Sequence, residues 1–154
     1  MKKLEVTAVD IARRFVGIKE INGVLDNPMI LAMLQLDQSW PQNDETPWCS
    51  AFVNYICWLL GLPRSRSLAA RSWLLVGKEI KCRQDVSIGF DVIILNRGDG
   101  EQPDATMINA QGHVGFFDGF MSGKIRLLAG NQNNQVNVTE FSMDRILGIR
   151  RLFE

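Results

Sequence analysis

The chain is poor in the residues that most often announce a function. It has one histidine in 154 residues, too few for a His-rich zinc site. Its three cysteines stand at irregular spacing, which fits neither a disulfide framework nor a zinc ribbon and points to synthesis in a reducing cytosol. Lys and Arg number 17, as do Asp and Glu, so a formal net charge of zero gives no reason to expect nucleic acid or an acidic membrane as partner. No apolar run has the length of a membrane span, and residues 56–62 fall well short of one. Lys2 and Lys3 open the chain as a signal peptide would, but Asp10, Arg13 and Arg14 break up the stretch where its apolar block would lie, so no Sec signal is expected. The sequence also lacks repeats, low-complexity tracts and linkers. Its composition is that of an ordinary globular protein, 46% hydrophobic and 22% charged, at a length that suits one domain over residues 1–154 with one sizeable core.

The first half reads as helices. Thr7 followed by Asp10 is a capping signal, after which Val9, Ala12, Phe15 and Val16 fall on one helical face. Asn27-Pro28 joins an N-cap to a proline at the first helical position and opens a helix through about Leu36. A turn-rich stretch, 37–47, leads into a central helix over about 48–60, closed by Gly61 and Pro63. Ser67 is placed to cap a further helix reaching Val76 before Gly77. After Gly89 the texture changes to short β-branched and aromatic runs between Gly, Asn and Asp: FDVIIL (90–95), HVGFFDG (113–119), KIRLLAG (124–130), QVNVTEF (135–141) and LGIRRLF (147–153). Helices first and closely connected strands afterwards predict an α+β fold with an antiparallel sheet. The connection 96–112 is the longest in this half, a length that is often functional.

Cys49 stands at the start of the central helix. There the unpaired N–H groups and the positive end of the helix dipole stabilise a thiolate and face the position of an oxyanion. The plain alternative is a small apolar residue under a polar loop. His113 begins GHVGFF, whose alternation puts His113, Gly115 and Phe117 on one face. A strand-end histidine beside a helix N-terminus is a natural general base for a thiol, while a surface position is its plain alternative. If 113–119 and 124–130 form a hairpin, Asn131 falls near the start of the histidine strand. Its amide oxygen can then accept from one ring nitrogen and leave the other facing Cys49. Asn131, Asn133 and Asn134 also suit a turn, and Gln111 and Gln132 are the next candidates for orienting His113. Cys57 is expected in the core with Phe52, Ile56 and Leu59, Cys82 in a connection, and Trp73 and Leu74 in packing. Trp48 suits either a cleft wall or packing beneath the helix.

Cysteine on a helix N-terminus, histidine on a strand and a polar residue on the next strand follow the papain-like order. The segments GxKE (17–20), DETPWCSAFVNY, ARSWL, GHVGFF and LLAGNQNN resemble the CHAP and NlpC/P60 superfamily of cell-wall cysteine hydrolases. Within it the chain is similar, over about residues 10–151, to small phage and bacterial peptidoglycan hydrolases carrying TPWC, GHVG and GNQ. The resemblance implies a papain-like α+β domain, with the nucleophile at a helix N-terminus and N-terminal helices packed on a C-terminal antiparallel sheet. It implies Cys49 as nucleophile, His113 as base and Asn131 as the orienting residue, with Trp48 and Gln132 in substrate or oxyanion binding. Many CHAP domains carry a glutamate where this chain has Ala129, so the third role passes to Asn131. Neither cofactor nor metal is implied, since Asp44 and Glu45 alone do not make the calcium site of some CHAP enzymes.

The implied substrate is bacterial peptidoglycan, cut at an amide bond by a stem-peptide or cross-bridge endopeptidase acting as a phage lysin. The alternatives are an N-acetylmuramoyl-L-alanine amidase, an exported antibacterial effector of the same chemistry, and a wall-peptide binding module without turnover. The expected protein is a monomer made in the host cytoplasm and acting on the wall after release. Arg64, Arg66 and Arg71 are expected on a solvated face, where they could also meet anionic wall polymers.

Overall fold

The computed structural model describes residues 5–23, 25–41, 43–44 and 46–154; Lys2, Lys3 and Glu45 lie outside them. Helix α1 (Ala8–Arg13) begins at a reciprocal cap: Asp10 N–H donates to Thr7 Oγ1 at 3.2 Å, and Thr7 N–H donates to Asp10 Oδ2 at 2.9 Å. It ends sooner than its apolar spacing suggests. Val9 and Ala12 are buried, but Val16 is 51% exposed. The chain leaves the helix because residues 17–20 run along the sheet, with Gly17 N–H donating to Val136 O (3.0 Å) and Val136 N–H to Ile18 O (2.8 Å). Helix α2 (Pro28–Leu34) is capped by Asn27, whose side chain accepts from Met29 N–H at 2.9 Å. Helix α3 (Cys49–Leu60) closes on Gly61 at φ 66°, with Leu62 N–H reaching Cys57 O at 2.9 Å.

The helix expected from Ser67 to Val76 is instead a 3₁₀ helix, Ala70–Leu75, and Ser67 Oγ accepts from Ala69 N–H at 3.1 Å. Five successive residues here, Ala70 to Leu74, are buried, so the segment has no solvent face of the kind an amphipathic α-helix keeps. Side chains pin it from several sides, Trp73 Nε1 donating to Ser50 Oγ at 2.9 Å and Ser72 Oγ to Ala69 O at 2.6 Å.

Six strands form one antiparallel sheet: β1 (Lys78–Glu79), β2 (Asp91–Asn96), β3 (Gly112–Met121), β4 (Lys124–Gln132), β5 (Gln135–Ser142) and β6 (Ile146–Arg151). Their spatial order is β1-β6-β2-β3-β4-β5. The two-residue β1 is too short and polar to show in the sequence, and it exists by pairing with Arg150 and Arg151. Alternation carries apolar side chains to both faces. Val92, Ile94, Val114, Phe116, Leu128 and Val136 meet Trp48, Phe52, Val53 and Ile56 on the helix side. On the other face Ile93, Leu95, Phe117, Ile125, Leu127 and Ile149 form a second cluster, so the expected one core is divided by the sheet. Asp91 is buried and accepts from Arg151 Nε and Nη2, both at 2.7 Å, and from Ser87 N–H at 2.8 Å. Among the described residues no helix is long and apolar enough to cross a membrane.

Candidate active site

Cys49 is the first residue of α3, and the N-cap position before it belongs to Trp48, whose side chain makes no capping bond. The helix therefore begins without the Ser, Thr, Asp or Asn that usually satisfies its first N–H groups. Trp48, a candidate cleft wall or substrate contact by sequence, is fully buried. Its indole N–H donates to Glu20 Oε1 at 2.8 Å, and its ring lies against Gly130 so closely that a Cβ there would sit 2.5 Å from Trp48 Cζ3. An aromatic so enclosed positions the helix start and cannot touch a substrate. The glycine of GNQ is thus a contact surface for the tryptophan of TPWC.

His113, at the start of β3, is 5% exposed and packs its ring 5.5 Å from that of Phe141. It lies beside the Cys49 thiol, close enough to act on its pKa. Burial pushes that thiol's pKa up, but the polar ring of His113, the Val114 N–H and the Arg97 cation together hold it below an ordinary thiol's. Cys57, two turns along the same helix, has no such company, and burial drives its pKa to about 12 against a small opposing pull from Arg64. Cys82 is exposed.

The residue that holds His113 is Gln132, not the expected Asn131. Nε2 of His113 and Oε1 of Gln132 are 3.0 Å apart. The hairpin itself is as expected, Phe116 pairing with Leu128, and continued regularly it would set Asn131 across from His113. A bulge intervenes. Between the pairs Ala129↔Asn137 and Gln132↔Gln135, two residues of β4, Gly130 and Asn131, stand opposite the single Val136, with Asn131 at φ 56°. The extra residue reverses the alternation and turns Gln132 onto the histidine's face. Asn133 and Asn134, at φ 53° and 60°, make the two-residue turn between β4 and β5.

Gln132 has no freedom to present its other end. Its Nε2 donates to Asn137 O (2.9 Å), Asn137 Oδ1 (2.9 Å) and Leu127 O (3.2 Å), which leaves Oε1 facing His113. Asn137 is fixed in turn, donating to Gln132 O at 3.1 Å and accepting from Thr139 Oγ1 at 2.8 Å. An amide oxygen can only accept, so Nε2 carries a proton and Nδ1 is the ring nitrogen left for the Cys49 thiol.

Two hollows flank the pair. One, of about 430 Å³, is lined by Pro47, Cys49, Leu68, Asn109, Gln111 and Gly112; the other, of about 310 Å³, contains His113 and Gln132. Gln111 accordingly faces the cysteine's side and Asn131 edges the histidine's side. Arg97, exposed at the end of β2, lines both. The long connection 97–111 is held over the first hollow by Arg71, expected on a solvated face but completely buried. Its Nε donates to Gln111 O at 2.9 Å and its Nη1 to Pro103 O and Asp104 O, both at 3.0 Å. Carbonyl oxygens replace water at Nε and Nη1, while the buried Nη2 has no hydrogen-bond partner among the described residues; the sequence neighbours of Arg71 do not signal this role. Buried Asp44 is structural as well, accepting from Ile21 N–H at 3.0 Å and Asn27 N–H at 2.8 Å.

No family model matches the sequence, and no curated protein matches it. Among solved structures the chain is similar to NlpC1 from Trichomonas vaginalis, with a TM-score of 0.59 and 19% identity. The match covers 99% of this chain and 47% of that one, so the chain spans about half the length of its structural neighbour. The two share a fold.

Proposed function

We propose that this chain is a cysteine hydrolase that cleaves an amide bond of bacterial peptidoglycan, with residues 1–154 as its catalytic unit. The observation that carries the reading is the Cys49–His113–Gln132 constellation: a thiol of lowered pKa at an uncapped helix start, beside a histidine whose tautomer is set by a locked amide. A fold shared with NlpC1 and the TPWC, GHVG and GNQ segments support the wall as the source of substrate.

The Cys49 thiolate attacks the amide carbon, and the carbonyl π pair moves to oxygen, where N–H groups of the first turn of α3 hold the oxyanion. Collapse expels the amine, which takes a proton from Nδ1 of His113, and leaves a thioester on Cys49. Neutral His113 then removes a proton from water as it attacks the thioester, and the thiolate departs to restore the pair. Gln132 acts through His113 as a positioning residue. Within this chemistry we place the enzyme as a stem-peptide or cross-bridge endopeptidase of the lysin type, acting on the wall after release from the cytoplasm.

Mass spectrometry of the fragments released from purified sacculi tests the reading. New amino termini within stem peptides or cross-bridges, absent with Cys49→Ser, are expected. Free lactyl carboxylates on muramic acid would assign an amidase instead. No release by a folded wild-type protein on any sacculus type would end the hydrolase reading.

A further inference from the structure

The hollow on the histidine's side contains two arginines, Arg97 and Arg145, and no carboxylate. Elsewhere in the molecule Arg13, Arg64, Arg126 and Arg151 each lie within 4.0 Å of an aspartate. Arg97 and Arg145 form no ion pair among the described residues. Asp99 lines the adjoining hollow that shares Arg145 but does not pair with it. Arg145 is nevertheless held in place by neutral groups. Its Nη2 donates to Asn96 O at 2.8 Å, its Nε leans on Asn96 Oδ1 at 3.4 Å, and its guanidinium carbon lies 5.2 Å from the centroid of the Phe141 ring. That is the state of a guanidinium prepared for an anion from outside: oriented in advance, partly desolvated, with donors still free.

We propose that this hollow binds a free carboxylate on the amine-side portion of the substrate, with Arg145 as the fixed half of the site and Arg97 as the half that closes from the surface. The side of the bond follows from the proposed hydrolysis, on which this inference rests. Cys49 keeps the acyl portion and lines the other hollow, whereas His113 protonates the departing amine and lines this one. Asn131 and Asn133 at the rim add neutral amide donors. Specificity then lies in a charged group next to the leaving nitrogen.

The test is a pair of peptides sharing the bond identified in sacculi and differing only at the amine-side residue, free carboxylate in one and carboxamide in the other. The wild type should favour the carboxylate by about ten- to a hundredfold in kcat/KM, the range of one charge-assisted hydrogen bond. Arg145→Gln and Arg97→Gln should each bring that ratio toward one. Equal cleavage of both peptides by an active enzyme would overturn the carboxylate site and leave the hydrolase intact. A second readout needs no turnover: ¹⁵N-labelled Cys49→Ala protein titrated with alanine or alaninamide, following arginine Nε–H signals. Shifts with alanine alone, absent when Arg145→Gln is added, are expected. No shift with alanine, or equal shifts with alaninamide or inorganic phosphate, would overturn the site whatever the enzyme cleaves.

Discussion

Two thiols on one helix, Cys49 and Cys57, are driven by burial in the same direction and end on opposite sides of the ordinary range, because only Cys49 has His113 beside it. A lowered pKa keeps Cys49 a thiolate as pH falls, until pH passes below that lowered value. At mildly acidic pH limiting iodoacetamide should therefore label Cys49 well ahead of exposed Cys82 and leave Cys57 untouched, as peptide mass mapping will show. Burial is the largest single influence on Cys49, and His113→Ala removes most of what opposes it, leaving only the Val114 N–H and the Arg97 cation, so labelling of Cys49 should drop below that of Cys82. Equal labelling in wild type and variant would show that the thiol is not activated. In turnover, His113→Ala should cost about 10²–10⁴-fold or more. Gln132→Ala should cost more than Asn131→Ala, since only Gln132 touches the ring, and Gln132→Glu should shift the acid limb of the pH–rate profile by placing a charge against Nε2. The reverse ranking of the two alanine variants would return the orienting role to Asn131.

At the scale of elements, the features legible in the sequence are those that depend on neighbours along the chain. The box at Thr7 and Asp10, the Asn27-Pro28 start and the Gly61 stop each mark a helix end, and short β-branched and aromatic runs mark five of the six strands. The exchange of Asn131 for Gln132 depends on counting residues across two strands, and the one local hint was Gly130-Asn131, a pair that tolerates a bulge in mid-strand. Arg71 is illegible for a similar reason: three carbonyls from a loop more than 30 residues away decide that it is buried. Arg71→Leu keeps much of the volume but orphans those carbonyls, each at a cost of about 1–3 kcal/mol if it stays dry. Hydrogen exchange and proteolytic nicking within 97–111 should rise and kcat/KM should fall; unchanged protection there would deny Arg71 its role. Gly130→Ala would force a methyl against Trp48, an overpacking cost of about 1–3 kcal/mol. Because Trp48 leads directly into Cys49, turnover should fall by more than the melting temperature suggests. An active variant of unaltered kcat would mean that the helix start tolerates the shift.

For the whole molecule, the neutral thiol of Cys57 ties global stability to alkaline pH. The unfolded chain releases this proton near pH 9 while the folded one holds it to about 12, so over that window the native state binds more protons and stability falls as pH rises. Cys57→Ala should flatten this part of the melting-temperature curve, whatever it costs at neutral pH; parallel curves for the two proteins would refute the assignment. The sheet itself is closed at one side by the two-residue β1 and at the other by residues 17–20 lying along β5, with Glu20 N–H donating to Asn134 O at 2.9 Å. The same four residues include the carboxylate that grips Trp48. A chain trimmed to begin after Glu20 would keep Cys49, His113 and Gln132 in sequence, yet it would bare the Val136 amide and carbonyl and the Asn134 carbonyl at the edge of β5, lengthening the strand edge open to the next molecule. Such a product should sediment as stacked, inactive oligomers, so that the front of the chain is at once a solubility tag and a splint for the nucleophile.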